Sequence, residues 1–581
     1  MASESFVNGP TTTEPTPIAP MAVRRRMIEE RSLGAGNFLD WAVRLNPNHS
    51  VPLIFKHSFD AHGHVILTAY SLDDLVAIRD RYAAWYHANG VGKGDVVGIY
   101  VSEGVEPMFQ FLALSALGAI AALINNGMAV APACGYLQLV GAVGLVCDDP
   151  TAFKATFRNN PNYRPRFISA VSELHAYQGG ERVLPSPFPV SHADDDIVAL
   201  VHSSGTTGIP KPTMAGHKQF WIGKEQRLIR LPAEPYDRLM SVVPHTHAGG
   251  LSYFLTAVLM GLPMIAMSDW RRTVVEPVMK VFKPTMVLSF PRTFVELSTD
   301  PLPTEACSSV HTWINMGDSA HYGHIRRLVT MGRRPSGLIR PALLADGEAS
   351  AAVQPGSQFI DGFGSSELGM SLFGGYFTME TERNDRCIGS PIGVVEHAII
   401  VNEAGEEQPV GTPGLLALKA PTITPGYWND PEMSKRFRLS GYWLTGDVAR
   451  RDEDGRFYHL DRTVDVIDGP FGAVYSLPIE EMLLADFAAI VLDCSVVGVP
   501  SHNRFGQRPI AIIRPQRDAT IPTEGQLLTL FNEHLSKVGL EQLAAVQVAR
   551  RPEDFPVGVT GKVLKRELRT RFATLLEPAT I

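Results

Sequence analysis

Ser203-Ser204-Gly205-Thr206-Thr207-Gly208-Ile209-Pro210-Lys211 follows the apolar run Ile197-Val198-Ala199-Leu200-Val201 after the single residue His202. The run has the length and β-branched content of a buried strand, so the string is a loop at a strand end. Its glycines let backbone N–H groups approach an anion, its hydroxyls donate to phosphate oxygens, and Lys211 brings a full positive charge. Together they read as a polyphosphate grip, centred on Ser203, Ser204, Gly205, Thr206, Thr207 and Lys211. It is not the GxxxxGK[ST] loop, because Pro212 follows the lysine where that loop has the hydroxyl that holds magnesium. A Ser/Thr/Gly-rich surface turn is the other reading of these residues alone.

Outward from this loop, short apolar runs (Val96–Val101, Arg238–Val243, Thr285–Ser289, Thr312–Met316) alternate with helical patterns, which predicts parallel α/β layers. The most apolar stretch, Met108–Ile124, carries Gln110, Ser115 and Gly118 and is near the lower length limit for a membrane span, so it reads as a buried helix followed by a strand. After Asp447 the rhythm changes to hairpins around Gly455 and Gly469. A helix follows from Thr523, with Leu527, Leu530, Phe531 and Leu535 on one face. These patterns predict a disordered tail over 1–30, a large α/β domain over 31–461 and a small α+β domain over 462–581. The first twenty residues lack the apolar core of a signal peptide.

The chain has 581 residues, of which 45% are apolar, enough for a large core and too many residues for one small binding module. With 52 basic against 60 acidic residues it has no cationic field for a polyanion, which argues against nucleic acid as a partner. Its five cysteines form no CxxC pair, so neither a disulfide framework nor a zinc site is expected, and reduced thiols in a cytoplasmic setting are the simplest reading.

The loop resembles the signature of the adenylate-forming superfamily of acyl-CoA synthetases, luciferases and peptide-synthetase adenylation domains, and further motifs extend the likeness. Pro244-His245-Thr246-His247-Ala248-Gly249-Gly250 is similar to the segment whose histidine borders the substrate carboxylate, which implies that role for His247. Asn315-Met316-Gly317-Asp318 resembles the strand-end loop along the adenine. Asp361-Gly362-Phe363-Gly364-Ser365-Ser366-Glu367 resembles YGxTE, with Phe363 stacking on the purine, Ser366 on the α-phosphate and Glu367 on Mg²⁺. Thr445-Gly446-Asp447 implies an aspartate shared by both ribose hydroxyls, with Arg462 beside it. Pro556–Lys562 resembles the loop whose lysine bridges carboxylate and α-phosphate, assigning Lys562. Outside these motifs, His247 and Phe363 read as core residues, Asp447 as a turn residue, Glu367 as a loop charge, and Lys562 as one of a solvated basic face.

The resemblance implies a layered α/β N-terminal domain with a barrel-like segment and a mobile α+β lid. It implies ATP/AMP, Mg²⁺ and CoA as cofactors, and a carboxylic acid or acyl-adenylate as substrate. The expected reaction is acyl-CoA ligation of a bulky apolar acid in two steps, with no membrane partner and the oligomeric state left open. Departures keep alternatives open: Pro212 after the phosphate-loop lysine, Asp461 before Arg462, Val464 at the hinge, and Asp468-Gly469-Pro470-Phe471-Gly472 at the expected CoA channel (Gly469, Gly472). A split enzyme performing one half-reaction, including adenylation for another acceptor, stays in view, as does an adenylate-binding scaffold.

Overall fold

The computed structural model describes residues 16–102, 104–158, 160–178, 183–203, 210–231, 233–335, 353–383, 386–501, 506–558 and 561–577. Ser204, Gly205, Thr206 and Thr207 of the phosphate grip lie outside them, as does the side chain of Ser203.

A six-stranded sheet runs in the spatial order Phe167–Ala170, Gly144–Cys147, Val96–Tyr100, Ile120–Leu123, Ile197–Ser203, Lys211–Gly216. All neighbours are parallel except the last pair, where Lys211–Gly216 returns antiparallel as the edge. The apolar stretch from Met108 resolves into the helix Glu106–Ala116 and the strand Ile120–Leu123, both buried. No helix among the described residues is long and apolar enough to cross a membrane.

A 14-stranded sheet contains the parallel neighbours Met264–Ala266, Leu239–Val242, Met286–Ser289, Thr312–Asn315 and Gln358–Gly364. Beyond Gln358–Gly364 it continues antiparallel through Ser371–Phe377, Cys387–Pro391, Phe457–Arg462, Tyr442–Arg451, Gly414–Lys419 and His397–Val401. Its path does not close on itself among the described residues. The expected barrel-like segment is therefore an open antiparallel wing of the large sheet, bent at bulges such as Val448/Ala449.

The chain past Ile467 has its own three-stranded sheet, Val491–Pro500, Gln507–Pro515 and Ala545–Val548, and its own core. The predicted helix runs Glu524–Lys537, capped by Thr523 and Gln526, and buries Leu527, Phe531 and Leu535. The tail expected through residue 30 is shorter than that: Met21–Glu29 is a helix, and Ile18, Ala19 and Met27 are buried. Arg24 fixes it there, donating to the carbonyls of Ala19 (2.8 Å) and Ala233 (3.1 Å).

The small domain docks on the large one through a charged seam. Arg292 meets Asp493 (3.3 Å), Glu296 meets Arg514 (3.4 Å), and His321 meets Glu481 (2.8 Å). His324 donates to the Leu492 carbonyl (2.7 Å) and Arg327 to that of Ala488 (2.8 Å).

Candidate adenylation site

In open parallel sheets ligands gather at the carboxyl ends of the strands. Here the segments after Leu239–Val242, Met286–Ser289, Thr312–Asn315 and Gln358–Gly364 bring His247, Phe290, Gly317, Ser366 and Glu367 to one cavity of about 320 Å³. Lys211 reaches it from the six-stranded sheet, Arg462 and Val464 from the wing and the turn after it, and Lys562 from the small domain. Gly317 has φ +84°, and a Cβ there would meet the Phe290 ring at 2.8 Å, so the turn needs glycine.

Lys562 Nζ donates to the Gly317 carbonyl (2.9 Å) and lies 3.6 Å from Asp318. Burial pulls the Lys562 ammonium's pKa down, and Asp318 works against that. For Asp318, burial pushes up, but Lys562, His459, Arg386 and Arg462 outweigh it and hold the carboxyl well below the usual range. Asp447 is buried 3.4 Å from both Arg462 and His459, which hold it charged against burial. Lys211 lies 4.4 Å from the Phe437 ring centre and 5.5 Å from that of Tyr427. The Tyr427 hydroxyl donates to Glu367 (3.0 Å).

His247 caps the helix Ala248–Met260, its Nδ1 accepting from the Gly249 N–H at 3.0 Å. Burial pushes its imidazole down to about 3, with His202 and Lys562 adding to the effect. It is therefore neutral near pH 7 and carries its proton on Nε2, free to donate to a substrate oxygen.

Burial lowers the pKa of seven histidines among the described residues: His202, His217 and His324 to about 4, His245 and His247 to about 3, and His57 and His192 in the same direction. The unfolded value is roughly 6.5, so below that pH the unfolded chain binds protons that the folded chain refuses. The stabilisation is complete above about pH 6.5 and is lost as pH falls toward 4, at up to about 1.4 kcal/mol per pH unit for each histidine. Thermal midpoints should fall steadily from pH 7 to pH 5. A midpoint constant over that range would show that these imidazoles are not held neutral.

Several expectations are corrected. Phe363 packs in the core, 5.0 Å from the His459 ring and 6.0 Å from Phe373, and like Asp447 and Asp318 it is not among the residues that line this cavity or the smaller one beside it. Gly362 lies in the same strand, and a Cβ there would meet Ser371, while Gly364 lines the smaller cavity. Gly469 and Gly472 end the hairpin strands Ile467–Gly469 and Gly472–Val474, with Phe471 at the tip 87% exposed. Gly472 and Phe471 line a separate groove, so the expected CoA-channel residues are not brought to the Lys562 cavity.

Pro212 is not in a flexing loop. It sits in an edge strand opposite His202, the one place in a sheet where proline is tolerated, and its carbonyl accepts from Trp428 N–H (2.8 Å). Pro212→Gly should then cost about 0.5–1 kcal/mol of stability through the unfolded state and leave ATP–pyrophosphate exchange within about twofold. A several-fold rise in exchange would restore the loop-stiffening view.

Sequence reasoning missed His202, Tyr427, Phe437 and Trp443 in the main cavity. It also missed Arg227 and Ser252 in the smaller cavity of about 30 Å³, which shares His247, Gly317 and Ser365 with the main one. Phe254 and Trp221 are both buried in the core, and the smaller cavity is lined by the Arg227 cation.

Residues 58–428 match the family model described as AMP-binding enzyme. The chain belongs to the AMP-binding enzyme family. This AMP-binding enzyme is of the adenylate-forming type. It is 34% identical over 580 residues, 95% of this chain and 98% of the other, to a 3-aminoavenalumate diazotase of Streptomyces sp.. It is 25% identical to a 2-succinylbenzoate–CoA ligase of Geobacillus sp. (strain WCH70), over 86% of this chain and 92% of that one. The structure of ATP-bound MatB from Rhodopseudomonas palustris superposes with a TM-score of 0.75 at 21% identity, covering 94% of this chain and all of that one.

Among the described residues no cluster of three or more His, Cys, Asp or Glu offers a protein-only metal cage. A single carboxylate beside bound phosphates is nonetheless a usual arrangement for Mg²⁺, and Glu367, with one oxygen on Tyr427 and the other without a partner among the described residues, fits it.

Proposed function

We propose that this AMP-binding enzyme activates nitrite as an adenylate and delivers its nitrogen to an aromatic amine, acting as a diazotase. The observation that carries this reading is the 34% identity to a diazotase along 95% of the chain, against 25% to the CoA ligase. The site supports it: cations and a neutral histidine surround the place where an oxyanion meets the α-phosphate, while the expected CoA-channel hairpin faces elsewhere.

The chemistry balances without an oxidant. A nitrite oxygen attacks the α-phosphorus, the bond to pyrophosphate breaks, and pyrophosphate leaves with its electron pair. The amine nitrogen then attacks the nitroso nitrogen, the N–O bond to AMP breaks, and AMP leaves as the amine loses a proton. The N-nitroso product shifts a proton to oxygen and loses hydroxide to give the diazonium ion. Lys562 neutralises charge growing on the α-phosphate oxygens, His247 Nε2–H orients the attacking oxyanion, and Asp447 holds the ribose. Lys211 would face the pyrophosphate, and Glu367 would hold Mg²⁺, whose chemistry is to offset phosphate charge.

A second reading, aryl-CoA ligation, is favoured by the CoA ligases among the relatives. There the carboxylate of an aromatic acid takes the place of nitrite, and the CoA thiol displaces AMP. Purified enzyme with ATP, Mg²⁺, nitrite and 3-aminobenzoate should yield AMP, pyrophosphate and a diazonium trapped as an azo dye. Thioester from acid, ATP and CoA with no dye would move the assignment to the ligase.

A further inference from the structure

Beside the main cavity two cations stand without a carboxylate. Arg227 lines the smaller cavity, its Nη1 donating to Ser252 Oγ at 2.7 Å and its guanidinium lying 4.2 Å from the Tyr253 ring centre. Lys224, three residues earlier in the turn that leads into the short helix Arg227–Arg230, is fully buried. Its Nζ donates to the Gly369 carbonyl (2.8 Å) and sits 3.7 Å from the Phe220 ring centre. Gly369 lines the same cavity, so the ammonium lies directly behind the wall that Arg227 faces. Neither cation forms an ion pair with Asp or Glu among the described residues.

A buried lysine normally has an acidic partner, because removing an ammonium from water costs several kcal/mol that one neutral hydrogen bond does not offset. Two such groups close together repel each other as well, and burial with Arg227 nearby pulls the Lys224 pKa well down. An anion in the smaller cavity relieves both costs: it pairs with the guanidinium, whose fork suits a carboxylate, and lets the ammonium hold its proton.

We propose that Arg227, backed by Lys224, receives a second anionic group of the substrate, a carboxylate on the same aromatic ring as the reacting group. The inference rests on the diazotase reading for the amine, the ring and the orientation, and on the two cations for the second anionic group: the reacting group points to His247 and Lys562, shared with or lining the main cavity, and the carboxylate points to the wall formed by Arg227, Ser252 and Met370. The substrate class is an aminoaryl carboxylate, and Arg227 is a specificity-determining residue with Lys224 as its positioning charge.

The test compares equilibrium binding of 3-aminobenzoate and of aniline to the AMP-loaded enzyme, in wild type, Arg227→Met, Arg227→Lys and Lys224→Met. Wild type should prefer 3-aminobenzoate by at least tenfold. Arg227→Met should collapse that ratio to near one, Arg227→Lys should restore part of it, and Lys224→Met should reduce it severalfold. A wild-type ratio near one, or a ratio unchanged in Arg227→Met with an unaltered thermal midpoint, overturns the site. Should Lys224→Met fail to fold, the two Arg227 variants decide alone. Diazonium formation is scored separately: preference for 3-aminobenzoate without any dye would sink the diazotase reading and leave the anion site standing.

Discussion

Lys562→Ala should lower adenylate formation, read as ATP–pyrophosphate exchange, by about 10²–10³-fold, the usual cost of removing one charged group aimed at a developing oxyanion. The ammonium is already held at the site by the Gly317 carbonyl and Asp318, so little reorganisation accompanies the reaction. The loss should be nearly all in turnover and not in ATP affinity, because charge on the α-phosphate rises only toward the transition state. Transfer from a supplied acyl-adenylate should be spared. Equal losses in both steps would make Lys562 a docking residue of the small domain.

Asp447→Ala should weaken AMP and ATP alike by about 1.5–3 kcal/mol, roughly 10–150-fold, as a charged acceptor is lost. The structure adds a reason for the upper end of that range. Asp447 and His459 are buried while the Arg462 side chain is 38% exposed, so removing the carboxylate leaves a buried imidazole and a half-buried guanidinium without their shared anion. Calorimetric titration with AMP would show this directly. Unchanged affinity would remove the ribose from this carboxylate and put the nucleotide elsewhere in the cavity.

Much of the fold was legible because buried parallel strands read as plain apolar runs. Leu239–Val242, Met286–Ser289 and Thr312–Asn315 fall inside the segments expected for them. Residues that act through a local motif, such as His247 beside its glycines or Lys562 after Gly561, could be placed from their neighbours in the chain. Tyr427, Phe437 and Arg227 could not, since each reaches its cavity by tertiary packing from a stretch with no motif of its own. Phe363 shows the converse. The strand period that places Gly364 at a cavity turns the neighbouring ring into the core, and the motif alone does not reveal which face the ring takes. The helix Met21–Glu29 was hidden for a related reason: its stabilising partners, Ala233 and Met260, lie more than 200 residues away.

Asp461, which stands just before the hinge, accepts from the Ser476 N–H at 2.6 Å and so ties the end of the wing to the first helix of the small domain. A lid that opened to release AMP, as the family resemblance implies, would break that tie and the seam of Arg292, Asp493, Glu296 and Arg514 together. In kinetic terms the enzyme's first turnover should outrun the rest: a burst of bound AMP and product equal to the number of active sites, followed by a slower steady rate paced by opening. On that expectation the seam would act as a clock for the reaction, and its residues, none of which lines the main cavity, would set how long a water-sensitive intermediate stays enclosed.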